Sequence, residues 1–188
     1  MSGETISREV LLGWFVGLFD GEGSIGFVLR DRRYQLPRIT LAIESEAGAM
    51  RCKKFLVEFN LPYWQGKQKP RKNMKATMYD FHFFGYRTIK KLLDVITPYL
   101  IIKQEQAEIV KGFVEYRISL GNENDIRTLS EEEKARLIGV RTLAIQRLDE
   151  LNKKGIRVRK WPDGTLTRRA QPSTTTEVDS PSSVGEMV

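Results

Sequence analysis

Apolar residues recur with helical spacing in five stretches of the chain. In the first, Leu11, Trp14, Phe15 and Leu18 follow i, i+3, i+4, i+7 spacing, which predicts a helix over residues 7–20 with Ser7 as its N-cap. Four further helices are predicted: residues 46–60, Ile89 to just before Pro98, residues 102–118, and Ser130 to about residue 152, where Glu133 completes a capping box.

Two pairs of stretches alternate between apolar and polar residues and are rich in β-branched or aromatic side chains. The first pair predicts strands over residues 25–31 and 37–44, with Asp31 to Pro37 as the turn region. The second predicts strands over 63–70 and 76–84, joined by the basic loop PRKNMKA. Because the strands come as hairpins, we expect an α+β fold in which helices back one face of an antiparallel sheet.

The chain divides by composition into three segments. Residues 1–152 contain all the strong periodic patterns and are predicted to form one domain. Residues 153–169 are basic, with a predicted short hairpin around Pro162-Asp163-Gly164, and residues 170–188 are rich in Ser, Thr and Pro and predicted to be disordered. No internal repeat is found.

The charge of the chain favours a polyanionic partner. The net charge is +7, and because residues 170–188 hold three acids and no Lys or Arg, the remainder carries +10. Such a balance is typical of nucleic-acid binding, although a soluble basic protein without such a partner would also show it.

Several classes of protein are disfavoured by what the sequence lacks. Cys52 is the only cysteine, which excludes an intramolecular disulfide framework and a cysteine-based zinc site, and His82 is the only histidine. There is no apolar run of membrane-spanning length and no basic-then-apolar leader pattern. We therefore expect an intracellular protein, in a prokaryotic cytoplasm or an organelle, that is not secreted and has no membrane partner.

The first predicted helix ends in two acids, Asp20 and Glu22, set among three glycines. Three interpretations are open at this point. The acids could be structural, bonding nearby backbone or facing solvent. They could begin a calcium loop, but Ile25 stands where that loop needs glycine. Finally, an acid could be a catalytic metal ligand presented from a helix end.

The stretch FVGLFDGEGS, residues 15–24, resembles the LAGLIDADG motif of homing endonucleases. The predicted order of helix, two strands, helix, two strands and helix is similar to the core of that family. PYLIIKQEQAEIV, residues 98–110, resembles the segment that carries the family's active-site lysine. The resemblance spans about residues 7–118, and on it the chain is identified as a member of this family.

The resemblance implies an αββαββα core whose antiparallel sheet forms a DNA-binding saddle. It implies a sequence-specific DNA endonuclease that makes double-strand cuts in a long pseudo-palindromic site. Because the chain holds one motif and therefore one active site, the resemblance implies a homodimer with twofold symmetry. The predicted dimer interface consists of Gly13, Gly17, Asp20 and Gly21. The glycines let two motif helices pack closely. In the family the earlier acid, here Asp20, usually accepts hydrogen bonds from backbone groups.

The resemblance also assigns the catalytic site. Glu22, with the Gly21 carbonyl, is the expected ligand of Mg²⁺, which Mn²⁺ or Ca²⁺ could replace for binding. Lys103 is the expected cation beside the scissile phosphate. Glu46 and Arg51 are candidates for the polar residues that the family places after the second strand, although this chain lacks the family's better-known glutamine there.

The DNA-binding residues are predicted from the alternation of side chains along each strand. Tyr79, Phe81 and Phe83 are assigned to the core and the opposite parity to DNA. The predicted contacts are Arg30 and Arg32 on the first strand, Arg38, Thr40 and Glu44 on the second, Gln65, Lys67 and Lys69 on the third, Asp80 and His82 on the fourth, and Arg71 and Lys72 as phosphate clamps in the loop. The basic segment 153–169 is expected to add backbone contacts.

Two other classes of protein remain possible from the sequence. A protein of the same fold could be an intron maturase that binds RNA, or a DNA-binding regulator that does not cut. An unrelated basic binding module is the third class. A free-standing reading frame within an intron is expected in preference to an intein, because the sequence shows no splice-junction residues.

Overall fold

The structure is a computed structural model that describes residues 6–30, 34–68, 77–121, 126–154, 159–160 and 166–167. The chain falls into two units, residues 1–151 and 152–188. In the second unit Arg159–Lys160 pairs with Leu166–Thr167 as two short antiparallel strands. None of the helices in the described part of the chain combines the length and the hydropathy that a membrane span requires.

Within the described residues, five α-helices carry the apolar periods of the sequence. They are α1 (Arg8–Glu22), α2 (Glu46–Glu58), α3 (Tyr86–Ile96), α4 (Gln104–Ser119) and α5 (Glu131–Lys154). The predicted caps are present: the Ser7 hydroxyl accepts a hydrogen bond from the Val10 amide at 3.3 Å, and Ser130 and Glu133 form the capping box.

Two pairs of strands, one after α1 and one after α2, form a four-stranded antiparallel sheet. Its strands are β1 (Gly23–Arg30), β2 (Tyr34–Ile43), β3 (Trp64–Gln68) and β4 (Met78–Phe83), arranged in the order β1-β2-β4-β3. The second strand of each hairpin therefore occupies the centre, and the first strand of each lies at an edge. The α+β class and the predicted order of elements are confirmed.

One face of the sheet is covered by helices. On β4 buried and half-buried residues alternate, with Tyr79, Phe81 and Phe83 on the buried side as predicted. Phe15 of α1 stacks on Phe55 of α2 with ring centroids 3.9 Å apart. The opposite face of the sheet, here called the open face, is left without a helical layer by the elements of the first unit.

Among the boundaries that differ from the prediction are those of α1 and β2. α1 continues to Glu22 instead of ending at Asp20. β2 begins at Tyr34 instead of residue 37, so Pro37 lies inside a strand. At Pro37 the strand is paired on one side only, with Phe27 of β1, because the pairing of β2 with β4 begins at Ile39. A residue without a backbone N–H is tolerated at such an edge position.

Candidate active site

The end of α1 passes directly into β1 at Gly23. The Gly23 amide donates to the Phe19 carbonyl, and a Cβ atom at Gly23 would lie 2.5 Å from that same oxygen. No side chain can therefore be accommodated there without moving the backbone. Packing within the chain therefore explains this glycine. Because β1 begins at Gly23, directly after α1, the two acids lie next to the end of the sheet.

Asp20 lies at the buried side of this helix tip, with 8% of its surface exposed. Its carboxylate accepts hydrogen bonds from three consecutive backbone amides, those of Ile101 at 2.7 Å, Ile102 at 3.3 Å and Lys103 at 3.0 Å. Charge-assisted bonds of this kind are about twice as strong as neutral ones. Asp20 therefore fastens the segment that precedes α4 to the tip of α1, an arrangement here called the Asp20 clamp.

The clamp brings Lys103 to the helix tip. Lys103 is the N-cap residue of α4, and its ammonium group donates to the backbone carbonyl of Asp20. Glu22 ends the same helix two residues later and is exposed. The structure thus places the predicted lysine, the predicted metal ligand and the Gly21 carbonyl at one end of α1, although Lys103 and Glu22 are far apart in sequence.

The other two predicted catalytic residues take different positions. Glu46 is the first residue of α2 and is exposed, just after the end of β2 that pairs with the beginning of β1. The Arg51 guanidinium lies over the Trp14 ring, 5.5 Å from its centroid. Trp14 precedes Glu22 by eight residues, about 12 Å along the helix axis. The structure does not bring Arg51 to the tip.

The oxygen atoms at the tip differ in their availability. The Asp20 carboxylate is committed to the amides of the clamp, whereas the Glu22 carboxylate is exposed. Within the described ranges, no three His, Cys, Asp or Glu side chains are grouped closely enough to enclose a metal ion. A set of one carboxylate and a backbone carbonyl suits Mg²⁺, which prefers hard oxygen ligands and keeps several waters.

A groove runs along the glycine-bearing face of α1. Gly13, Gly17 and Gly21 are exposed, and no heavy atom of the described chain, beyond the helix's own backbone and chain neighbours, lies within 4 Å of where their Cβ atoms would stand. The groove measures about 370 Å³ and is lined by Glu9, Leu12, Gly13, Val16, Gly17, Asp20, Tyr99 and Ile101. Two glycines of the predicted interface thus line an open groove, while the Asp20 carboxylate turns to its own chain.

The open face carries part of the predicted DNA-binding set. In the β2–β4 register Thr40 pairs with His82 and Ala42 with Asp80, while Arg38 pairs with Gly26 of β1. These residues have the parity opposite to the buried Ile39, Leu41 and Phe81. Glu44 follows β2 and is exposed. Arg30 ends β1, and Arg32, Lys69, Arg71 and Lys72 lie outside the described residues.

The face predicted for Gln65 and Lys67 was wrong. Gln65 pairs with Phe81 and Lys67 with Tyr79, so both lie on the helix side of the sheet. The Lys67 ammonium lies 5.4 Å from the centroid of the Tyr79 ring. Because β3 is an edge strand, its helix-side positions remain near solvent and can be polar, which makes polarity a poor guide to orientation there.

Sequence reasoning missed two residues of the open face, Trp64 and Phe84. Trp64 pairs with His82 across the β3–β4 ladder, and its ring lies 5.1 Å from the imidazole. Phe84 follows β4, two residues after His82, and its ring stacks on the imidazole with centroids 5.6 Å apart. The parity of Phe81 and Phe83, which already placed His82 on the open face, also applies to Phe84 and could have identified it.

The comparisons with known proteins concern the fold. No protein-family model and no curated protein sequence match the chain. Among solved structures it is similar to the homing endonuclease I-CvuI in complex with an I-CreI target in the presence of Mg, at 17% identity over 77% of this chain and 83% of that one, with a TM-score of 0.52.

The same enzyme in complex with its own target in the presence of Ca is 18% identical over the same shares of the two chains, again with a TM-score of 0.52. The archaeal intron-encoded homing endonuclease I-Vdi141I, complexed with DNA, is 11% identical over 78% of this chain and 99% of that one, with a TM-score of 0.52. The chain therefore has the LAGLIDADG homing-endonuclease fold predicted from its motif.

Proposed function

We propose that this chain is a LAGLIDADG homing endonuclease that makes double-strand cuts in a long pseudo-palindromic DNA site as a homodimer. The observation that carries the proposal is the Asp20 clamp, which holds Lys103 at the same helix tip as the exposed Glu22. The fold shared with two endonucleases that were solved on DNA and the net charge of +7 support a DNA substrate.

In this proposal Glu22 and the Gly21 carbonyl hold a divalent ion, Mg²⁺ in the cell, with Mn²⁺ or Ca²⁺ able to replace it for binding. One carboxylate and one carbonyl leave the remaining ligand positions to water and to DNA phosphate oxygens. When bound, the ion would supply a water of lowered pKa and neutralise phosphate charge. Asp20 takes no part as a ligand because its carboxylate serves the backbone amides.

The proposed role of Lys103 is electrostatic. Its ammonium group is fixed at the helix tip by the bond to the Asp20 carbonyl, and its backbone amide is fixed by the Asp20 carboxylate. A cation that is already in position when negative charge builds on a phosphate stabilises that charge without a cost of reorganisation. The clamp is therefore what makes the lysine effective.

The groove on α1 supports the proposed homodimer. Each chain supplies one tip, so cutting both strands requires two chains. The glycine stripe at i, i+4 and i+8 leaves room for a second α1 helix to approach closely. Tyr99 and Ile101, 57% and 88% exposed, extend this surface with apolar area that a partner would cover.

The dimer is tested with Gly17→Leu, which fills the groove, and with Gly139→Leu as the matched control. Gly139 is also an exposed glycine inside a helix, with nothing of the described structure within 4 Å of a Cβ atom. By sedimentation velocity we expect the wild-type chain and Gly139→Leu to be dimers and Gly17→Leu to be a monomer. A Gly17→Leu dimer would contradict the proposed interface.

The activity is tested on nucleic acids that the purified protein selects in Ca²⁺ from two randomised pools, one of duplex DNA and one of RNA. The selected duplexes are then incubated with the protein in Mg²⁺, in Ca²⁺ and in EDTA. We expect double-strand cuts in Mg²⁺ and none in EDTA. A duplex that is bound tightly but stays intact in Mg²⁺ would identify a non-cleaving regulator. Selection of a structured intron RNA in place of duplex DNA would identify a maturase.

A further inference from the structure

Three aromatic side chains form a row on the open face of the sheet. Trp64 and Phe84 both contact His82, with ring centroids 5.1 Å and 5.6 Å from the imidazole, and the Phe84 ring is nearly parallel to it at 4°. Trp64 is 56% exposed and Phe84 is 55% exposed. This aromatic row is an apolar strip on a face where the neighbouring strand presents Arg38 and Thr40.

The position of the Trp64 ring is set by Gly66. A Cβ atom added at Gly66 would lie 2.8 Å from Cη2 and 2.9 Å from Cζ3 of the indole. The indole therefore lies over the glycine, on the same side of the strand and two residues away. Because no side chain at residue 66 competes for this space, the indole can lie over residue 66 and beside His82.

Arg38 is attached to the row through His82. The guanidinium Nη2 lies 3.5 Å from Nδ1 of the imidazole, which acts as acceptor when the ring is neutral. Burial and the positive charge of Arg38 lower the pKa of His82, against the opposing effect of Asp80, so the neutral ring is favoured. The open face thus presents a cation beside exposed apolar rings.

This combination matches the edges of bases in the major groove. The C5-methyl group of thymine is the apolar feature that the major groove displays, and aromatic side chains are known to contact it. An arginine donates to O6 and N7 of guanine. The row is at most about 11 Å long, which corresponds to about three base-pair steps along one strand.

We propose that the aromatic row reads thymine methyl groups while Arg38 reads a guanine within the same few base pairs. This inference rests on the proposed function, because it requires the open face to enter the major groove of duplex DNA. It assigns specificity to Trp64 and Phe84 through an apolar contact and to Gly66 as the residue that positions the indole. His82 supports Arg38 instead of contacting metal.

The test replaces single thymines by deoxyuridine in the duplex that the protein selects, which removes one methyl group and changes nothing else. Burial of one methyl group corresponds to about a fourfold change in Kd. For the wild-type protein we expect this loss at one or more thymines in each half-site. For Trp64→Ala or Phe84→Ala we expect weaker binding overall and no further loss on uracil substitution.

Two variants separate contact from folding. Trp64→Phe keeps an apolar ring and should retain part of the methyl effect, and Gly66→Ala should reduce it by displacing the indole. Ile138→Ala is the matched control, since Ile138 is also a large exposed apolar residue, at 53%, but lies on α5. It should bind both duplexes as the wild type does.

The outcomes distinguish this inference from the function on which it rests. If a duplex is selected but every uracil substitution leaves the Kd of the wild type unchanged, the methyl contact is overturned and the DNA-binding proposal stands. An unchanged uracil effect in both Trp64→Ala and Phe84→Ala overturns it as well. If no duplex is selected, or only RNA is, both proposals fail together.

Discussion

Asp20 and Glu22 lie two residues apart at the end of one helix, yet their surroundings are opposite. The Asp20 carboxylate is buried and accepts three backbone hydrogen bonds from residues 101–103. The Glu22 carboxylate is exposed at the end of the same helix. Because successive helical residues are rotated by about 100°, a spacing of two places the side chains on nearly opposite sides of the helix.

The first acid of the motif is thus engaged in structural hydrogen bonds, whereas the second is exposed to solvent. A carboxylate that already serves three amides has little capacity left for a ligand, and its removal would leave those amides without their acceptor. A carboxylate in solvent contributes little to folding and is free to bind a cation. We therefore expect substitutions at the two positions to affect different measurements.

The largest expected effect is that of Glu22→Gln on cleavage. Loss of the carboxylate removes the only side-chain ligand proposed for the metal, which we expect to lower the single-turnover rate by about 10³-fold or more. The free energy of unfolding and the Kd for the selected duplex should stay close to wild type. Glu58→Gln, an exposed acid at the end of α2, serves as the control and should cut normally.

Lys103→Met separates the charge of the side chain from its backbone contact. It removes the ammonium group but leaves the backbone amide bonded to Asp20. We expect the cleavage rate to fall by about 10²-fold, the effect typical of losing one preorganised charge-stabilising donor. The free energy of unfolding, measured by urea denaturation, should change far less. A variant that cuts at the wild-type rate would show that Lys103 only supports the helix tip.

Asp20→Ala should act mainly on stability. It leaves three backbone amides without their acceptor, and we expect the free energy of unfolding to fall by about 3 kcal/mol. Asp20→Asn keeps one acceptor oxygen and should lose about half as much. Cleavage by folded Asp20→Asn should also decline, because the position of Lys103 depends on the clamp. An Asp20→Ala variant with the free energy of unfolding of the wild type would contradict the structural role of Asp20.

The smallest effect is expected at the other end of the same helix. Ser7→Ala removes the N-cap bond to the Val10 amide and should lower the free energy of unfolding by about 1 kcal/mol. The cleavage rate measured well below the midpoint of unfolding should be unchanged. A loss of cleavage here would mean that any weakening of α1 disturbs the site, and the effects at Asp20 would then lose their specificity.

Much of the fold could be predicted because its signals are local. The spacing of Leu11, Phe15 and their neighbours, the caps at Ser7 and Ser130, and the alternation on β4 each lie within a few residues. The end of α1 was harder to place, because Gly21 and Gly23 suggest a turn. The helix continues to Glu22 because its last turn is held from outside, by amides some eighty residues away.

The open face could be predicted only in part, because its composition depends on strand register. Pairing fixes which side of β3 faces the helices, and the residues that join β3 to β4 do not reveal that pairing in the sequence. Gln65 and Lys67 are polar and were assigned outward, while Trp64 is apolar and would ordinarily be assigned inward. The register reverses both, and the tryptophan becomes part of the surface.

The Asp20 clamp joins two parts of the chain that are synthesised at different times. Its two halves are separated by 81 to 83 residues, so the contact has a high sequence separation and forms late compared with the helices themselves. A nascent chain that has only emerged as far as β4 possesses the motif acids but not the lysine. During synthesis from the N-terminus, the residues of the proposed site are therefore not all present until α4 begins to leave the ribosome.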